Sequence, residues 1–250
     1  VETAWPDTCH FIADLHLTGD DTAMAHCLAG YLAGPARQAV ALYILGDLFD
    51  VWIGDDDGLN THAATLAALA NLTATRVPVY FQRGNRDFAV GRAFFERTGL
   101  RPLADPVVHR IAGQPTLLAH GDVFCTDDAA HQRFRKRYTN PRWRARMLKL
   151  PLAVRRIAAR RARARSQQAK THKAPAIMDV AHDSVRGLAA EFDARRIIHG
   201  HTHRPADHDD DGLRRHVLAD WRDDQAEVLT VSRRGVRRMA LDPNGRFACT

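Results

Sequence analysis

No apolar run in this 250-residue chain approaches the roughly 20 residues that cross a bilayer. The N-terminal VETAWPD also lacks the charged-then-apolar pattern of a leader, so a soluble or peripherally attached protein is expected. Cysteine is scarce. Cys9, Cys27, Cys125 and Cys249 lie far apart and form no C-x-x-C pair, which argues against a thiolate zinc site or a disulfide framework and suits a reducing cytoplasm. Acidic residues are missing altogether between 129 and 178, where 16 Lys and Arg stand. The remainder holds 20 basic and 29 acidic residues, so the net charge of +7 divides into an acidic body and one strongly basic segment. Such a segment attracts polyanions, whether nucleic acid, anionic lipid headgroups or a phosphorylated substrate.

What is present is enough apolar sequence, 45%, to bury a core within a single domain spanning 1–250. Short apolar runs at 9–13, 41–45, 77–81, 115–119 and 196–199 predict strands, each leading straight into polar chemistry. Ala- and Leu-rich stretches at 22–33 and 61–73 have helical spacing, so β-α-β units are expected early in the chain. Runs near 216–220, 227–231 and 236–241 predict strands without intervening helices. The expected class is α/β, a two-sheet sandwich flanked by helices. From about 128 to 186 the strand signal gives way to Arg- and Ala-rich helical sequence, read as a helical cap inserted in the domain. Within it Trp143, Met147, Leu150, Val154 and Ile157 form an apolar stripe, with Arg142, Arg144, Lys149, Arg155 and Arg156 between them, and Pro151 should divide the segment.

Five motifs fall at strand ends, where ligands collect in α/β sheets: ADLH (13–16), GDLFD (46–50), GNRD (84–87), HGD (120–122) and HGHTHRP (199–205). They offer Asp14, His16, Asp47, Asn85, His120, His199 and His201, all nitrogen or oxygen donors suited to Mn²⁺ or another hard or borderline divalent ion. Seven ligands are too many for one ion with an open position. With Asp47 as a bridge they divide into two sets, Asp14, His16, Asp47 and His201 for one ion, and Asp47, Asn85, His120 and His199 for the other. Two such ions about 3.5 to 4 Å apart activate water and clamp phosphoryl oxygens during in-line attack. His203 reads as a partner orienting a ligand, and the other histidines, His131 among them, as ordinary.

Arg86 stands beside Asn85, where a phosphate would lie. A guanidinium binds phosphoryl oxygens but cannot serve as a general acid, because its pKa stays above about 12. Expelling an alkoxide needs such an acid, whereas a phosphate leaving group departs unaided, so an anhydride substrate is favoured. The catalytic expectation rests on Asp47, Asn85 and Arg86, against the alternative that Arg86 only forms a surface ion pair with Asp87.

These motifs resemble those of the calcineurin-like metallophosphoesterases, many of which carry His where Arg86 stands. The segments LYILGDLFDVWIGDDD (42–57), GNRDF (84–88), HGDVFCTDD (120–128), RARSQQAK (163–170), IMDV (177–180) and HGHTHRPA (199–206) are similar to the UDP-2,3-diacylglucosamine pyrophosphatase family of lipid A biosynthesis, over roughly residues 9 to 222. The resemblance implies hydrolysis of UDP-2,3-diacylglucosamine to UMP and 2,3-diacylglucosamine 1-phosphate, with two Mn²⁺ per chain. It implies substrate contacts at Asn85, Arg86, Asp128, Ser166, Lys170, Lys173 and His199. It further implies a cytoplasmic enzyme held peripherally on the anionic inner membrane, with no nucleic acid and no obligate protein partner. A nuclease on the same metal centre, or a non-catalytic scaffold of the same fold, are the competing readings.

Overall fold

The computed structural model describes residues 7–172, 179–222 and 225–248; among residues 166–172 only the side chain of Gln168 is described. Sheet one is built from β1 (Cys9–Ile12), β2 (Ala41–Leu45), β3 (Val79–Gln82), β4 (Arg101–Leu103), β10 (Ala226–Ser232) and β11 (Gly235–Leu241), in the order β11-β10-β1-β2-β3-β4. Sheet two contains β5 (Val107–Ile111), β6 (Gln114–Ala119), β7 (Arg196–His199), β8 (Ala206–Asp210) and β9 (Leu213–Val217), in the order β5-β6-β7-β9-β8. β1, β2, β3 and β4 run parallel, as β-α-β crossovers require, while β10 and β11 form an antiparallel hairpin on β1.

The strands are apolar on both faces because both are covered. In ALYIL, Leu42 and Ile44 face helices α1 (Ala23–Ala33), α3 (Ala63–Ala74) and α4 (Arg92–Thr98), where they join Leu28, Leu66, Phe81 and Phe94. Ala41, Tyr43 and Leu45 face the second sheet and meet Phe11, Leu118, Ile198 and Leu229. A third cluster, Leu117, Ala119, Phe124 and Ile197, lies under Val185 and Ala189 of α8 (His182–Glu191). The result is the expected sandwich of two sheets flanked by helices. β4, β5 and β8 have no counterpart among the expected strands. β5 and β8 are edge strands whose half-exposed, largely polar sequences carry no continuous apolar run.

The basic segment forms α5 (Ala129–Tyr138), α6 (Pro141–Leu148) and α7 (Leu152–His172). Asn140 caps α6 through Oδ1, with Pro141 at its first position, and the chain breaks again at Pro151. The apolar stripe divides. Trp143 packs on Phe88 with ring centroids 6.0 Å apart and Met147 joins the main core, whereas Leu150, Val154 and Ile157 remain 45–50% exposed. The arginines divide too, and not all of them are left for an external polyanion. Arg155 is only 5% exposed: Nη1 donates to Ile53 O at 2.6 Å and to Asp56 Oδ1 at 2.8 Å, and Nη2 pairs with Asp56 Oδ2. Arg156 pairs with Asp57 and Arg163 with Asp50. α7 lies over the acidic stretch 50–57, whose last three residues open the short helix α2 (Asp55–Thr61), so three cations of α7 turn towards the acids of the body.

Arg155→Ala should lower stability by about 2 kcal/mol in urea unfolding, because a buried ion pair and a carbonyl lose their donor. Arg156→Ala, exposed at its head, should cost under about 0.5 kcal/mol. The Arg155 hydrogen bond holds the Asp56 carboxyl below its ordinary value. Its stabilisation is therefore present above the unfolded carboxylate value of about 4 and is lost as pH falls through the lower folded value, so the gap between wild type and Arg155→Ala should narrow in acid.

Candidate metal centre

β1 and β2 are parallel neighbours, with Ile12 opposite Ile44, so the loops that follow them leave the same end of the sheet. Those loops are tied together by backbone hydrogen bonds from Asp14 N to Gly46 O, His16 N to Asp47 O and Leu17 N to Leu48 O. β6 and β7 deliver the HGD and HGHTH loops in the same way, with Gly200 N on His120 O at 2.8 Å. Asp14, His16, Asp47, His201 and His203 all adopt positive φ, between 49° and 71° on the left-handed side. Non-glycine residues enter this region at a cost of order 1–3 kcal/mol each, and such strain concentrates at functional sites.

Two glycines explain how the loops close. A Cβ on Gly84 would overlap Asp47 Oδ1, and one on Gly200 would overlap Asp14 Oδ2. Backbone N–H groups then reach the carboxylates: Arg86 N donates to Asp47 Oδ1 at 2.8 Å and His201 N to Asp14 Oδ2 at 2.7 Å.

Asp14, Asp47 and His120 are 0–2% exposed and bring one ligand atom each within 4.8 Å of one another; Asp14, His16 and His203 form a second such group. Asp14 Oδ1 is buried without a hydrogen-bond partner, its nearest cationic neighbour being His203 Nε2 at 3.6 Å. His120 Nδ1 donates to Leu45 O at 2.9 Å, which leaves Nε2 facing Asn85 Oδ1 at 3.1 Å and Asp47 Oδ1 at 3.7 Å. His16 Nδ1 lies 4.0 Å from Asp47 Oδ2. His201 touches the His120 ring, centroids 5.0 Å apart, and His199 keeps Nδ1 on Gly200 O at 2.9 Å; neither enters the two close groups.

The electrostatics are those of a cage short of positive charge. Burial, helped by Asp87 and Asp14, pushes the Asp47 carboxyl up to about 7 despite the pull of His120. Burial would lower His120, yet Asp47, Asp14 and Asp122 push it up to about 10. An orphaned carboxylate oxygen, nitrogen and oxygen donors only, and two buried acids sharing one imidazole fit a divalent cation well.

Arg86 is half-buried and does not pair with Asp87, whose oxygens accept from Gly84 N at 2.7 Å and Leu48 N at 2.8 Å. Asp128 caps α5, accepting from His131 N at 3.0 Å. The side chains of Ser166 and Lys170, and Lys173 as a whole, lie outside the described residues.

Several neighbours escape the motifs. Asp220, after β9, holds His203 Nδ1 at 3.3 Å. Asp122 is wholly buried and accepts from Arg135 Nε at 3.1 Å and from the Tyr138 hydroxyl, with His131 Nε2 at 3.2 Å. Arg135 also pairs with Asp105, whose other oxygen takes His120 N at 3.0 Å. The ring of His131 lies 5.1 Å from that of His201, so it is no ordinary surface histidine. The sequence signal for Asp122 was the third letter of HGD itself; for Asp220 it was only a strand ending in an acid.

Because a divalent cation would neutralise the buried acids Asp14 and Asp47, chelation should lower the thermal midpoint and divalent metal should restore it. Asp47→Ala should shrink that difference, as read by scanning fluorimetry with and without chelator.

Residues 8–205 match the calcineurin-like phosphoesterase family. A UDP-2,3-diacylglucosamine hydrolase of Chromobacterium violaceum is 45% identical over 233 residues, 93% of this chain and 98% of that protein. Enzymes of the same name from Aeromonas hydrophila and Haemophilus ducreyi are 45% and 41% identical, covering 92% and 91% of this chain and 96% and 97% of theirs. With the cage formed at the ends of the strands this family model spans, the chain belongs to the calcineurin-like phosphoesterases, in the branch of the UDP-2,3-diacylglucosamine hydrolases.

Proposed function

We propose that this protein hydrolyses the pyrophosphate bond of UDP-2,3-diacylglucosamine, releasing UMP and 2,3-diacylglucosamine 1-phosphate. The relatives, which share both length and identity with this chain, supply the substrate. The observation that carries the chemistry is Arg86, half-buried next to Asn85 and not engaged by Asp87. A permanently charged donor there stabilises phosphoryl oxygens and cannot protonate a leaving group, which matches an anhydride, whose departing phosphate needs no proton.

The cofactor we assign is two Mn²⁺, supported by seven nitrogen and oxygen donors and by Asp47 standing between the His16 and His120 sides of the cage. What the cations supply when bound is activation of water and neutralisation of phosphoryl charge. The chain's own part is orientation. Asp14 and Asp47 are held by the backbone N–H groups of His201 and Arg86. Asn85 and His199 complete the donor set in this reading, and Arg86 binds the reacting phosphoryl group. Asp128, Ser166, Lys170 and Lys173 would then hold the rest of the nucleotide sugar.

The same reading puts the protein on an anionic membrane surface. No helix among the described residues is long and apolar enough to cross a membrane. Exposed Leu150, Val154 and Ile157 stand beside exposed Lys149, Arg160 and Arg161, a pattern that suits shallow insertion among anionic headgroups.

The central test is chelation followed by reconstitution with each divalent ion, following UMP release from UDP-2,3-diacylglucosamine; release of UDP would place cleavage at the wrong bond, and preference for oligonucleotides would favour a nuclease. Asp47→Ala should abolish turnover while leaving folded protein. Arg86→Ala should slow hydrolysis by roughly 10²-fold or more with metal content retained. Vesicles containing anionic lipid should sediment the protein, neutral ones should not, and replacing Val154 and Ile157 by Ser should weaken the association.

A further inference from the structure

A cavity of about 270 Å³ lies between α7 and the stretch 50–57 and has no part in the site as described so far. Leu17, Val51, Ile53 and Ala159 of α7 supply its apolar walls. It adjoins the cage. Leu17 follows His16 directly, Leu17 N donates to Leu48 O, and Asp50 N donates to Leu17 O at 3.0 Å, so the two loops that carry His16 and Asp47 run on into the cavity wall.

Most of the charge around the cavity is matched. Arg156 pairs with Asp57 and Arg163 with Asp50, and all four side chains line it. Arg160 lines it as well, exposed, and has no ion-pair partner among the described residues. His62, between α2 and α3, is the buried polar group of the wall, 2% exposed and held by the rings of Phe49 and Trp52 at centroid distances of 4.4 and 6.0 Å. Its Nδ1 has no hydrogen-bond partner. Burial pulls this imidazole down to about 4 although Asp20 and Asp57 oppose it, so at neutral pH the ring is uncharged and carries one donor and one acceptor nitrogen. An unpartnered polar group buried this deeply calls for an explanation, and a hydrogen-bonding ligand in the adjoining cavity supplies one.

We propose that this cavity receives the pyrimidine base of the UMP half of the substrate, with His62 and Arg160 meeting the polar edge of the base and Leu17, Val51 and Ile53 its faces. The base site deepens the hydrolase reading and rests on it for the identity of the nucleotide. Size, chemistry and position favour a base. The volume falls just below the roughly 300 Å³ at which pockets for drug-sized ligands begin, which suits one heterocycle rather than a pair of acyl chains. A uracil ring joins apolar faces to an edge of two carbonyls and one N–H, the mixture that these walls offer, whereas an acyl chain would leave His62 and Arg160 without partners. A nucleotide whose phosphate lies at the cage carries its base only one ribose away, as a cavity adjoining the cage requires.

The test is titration of UMP, ribose 5-phosphate and 2,3-diacylglucosamine 1-phosphate into manganese-loaded wild type, His62→Phe and Arg160→Gln, with metal content and thermal midpoint measured in each. Phenylalanine keeps the ring packing on Phe49 and Trp52 and removes the nitrogens; Arg160→Gln, at an exposed position, decides alone if His62→Phe fails to fold. Wild type should bind UMP about 10-fold more tightly than ribose 5-phosphate, and each variant should lose most of that preference while its affinity for the other two ligands stays in place. In turnover of UDP-2,3-diacylglucosamine by His62→Phe, KM should rise with kcat nearly kept. UMP affinity in the folded variants equal to that of wild type overturns the proposal. So does a loss shared equally by UMP and ribose 5-phosphate, which would make the cavity a phosphate site, or a loss confined to the acylated sugar, which would make it an acyl site. Base-selective UMP binding that depends on these two residues, in a protein that does not cleave UDP-2,3-diacylglucosamine, would leave the base site standing and sink the substrate reading instead.

Discussion

Two buried carboxylates without an adequate cation are the constraint on which the rest of this structure depends. Asp14 and Asp47 sit at the ends of adjacent parallel strands, almost fully shielded from water, with one oxygen of Asp14 unpartnered. Charges in such a place are tolerated only when compensated. Within the chain the compensation comes from His120, which the acids push up to about 10, and from His203, pushed up to about 9 by Asp14 and Asp220 although burial opposes it. A divalent metal cofactor completes what the two imidazoles begin.

Holding the acids in this arrangement has a conformational cost that the fold absorbs. Five residues of the cage loops have left-handed backbone, and the loops are locked from outside: by loop-to-loop hydrogen bonds, by carboxylates accepting backbone N–H groups, and by glycines that permit close approach. The strands beneath are packed on both faces, so their ends cannot shift independently. The basic helices are joined to the same frame. Arg135 spans Asp122 and Asp105, the latter holding His120 N, and Tyr138 reaches Asp122 from the end of α5. A displacement of α5 would therefore be felt at the loop that carries His120.

The charge pattern of the chain also finds its meaning in three dimensions. An acidic body and a basic segment suggested an external polyanion, yet Arg155, Arg156 and Arg163 of that segment pair with Asp56, Asp57 and Asp50. Other cations of the segment stay exposed, among them Arg133, Lys136, Arg137, Arg142, Arg146, Lys149, Arg160 and Arg161. Part of the basic segment thus serves to clasp α7 to the body.

Sequence by itself determined the class of fold and the family, because apolar runs of strand length ending in Asp, His and Gly are local features that survive without coordinates. It also placed the helices of the basic segment and their break at Pro151, since helix period and proline act within a turn or two. Tertiary structure alone decided the partners. Asp220 reaches His203, Asp122 gathers His131, Arg135 and Tyr138, and Arg215 meets His199 across paired strands, contacts between separate elements that meet only when those elements dock. The inward turn of Arg155 belongs there too. Periodicity fixes which residues share a helix face, but which face meets the acids of the stretch 50–57 depends on how the helix docks. β5 and β8 went unseen for a related reason: an edge strand is held by its neighbour's backbone, which imposes no side-chain pattern on it.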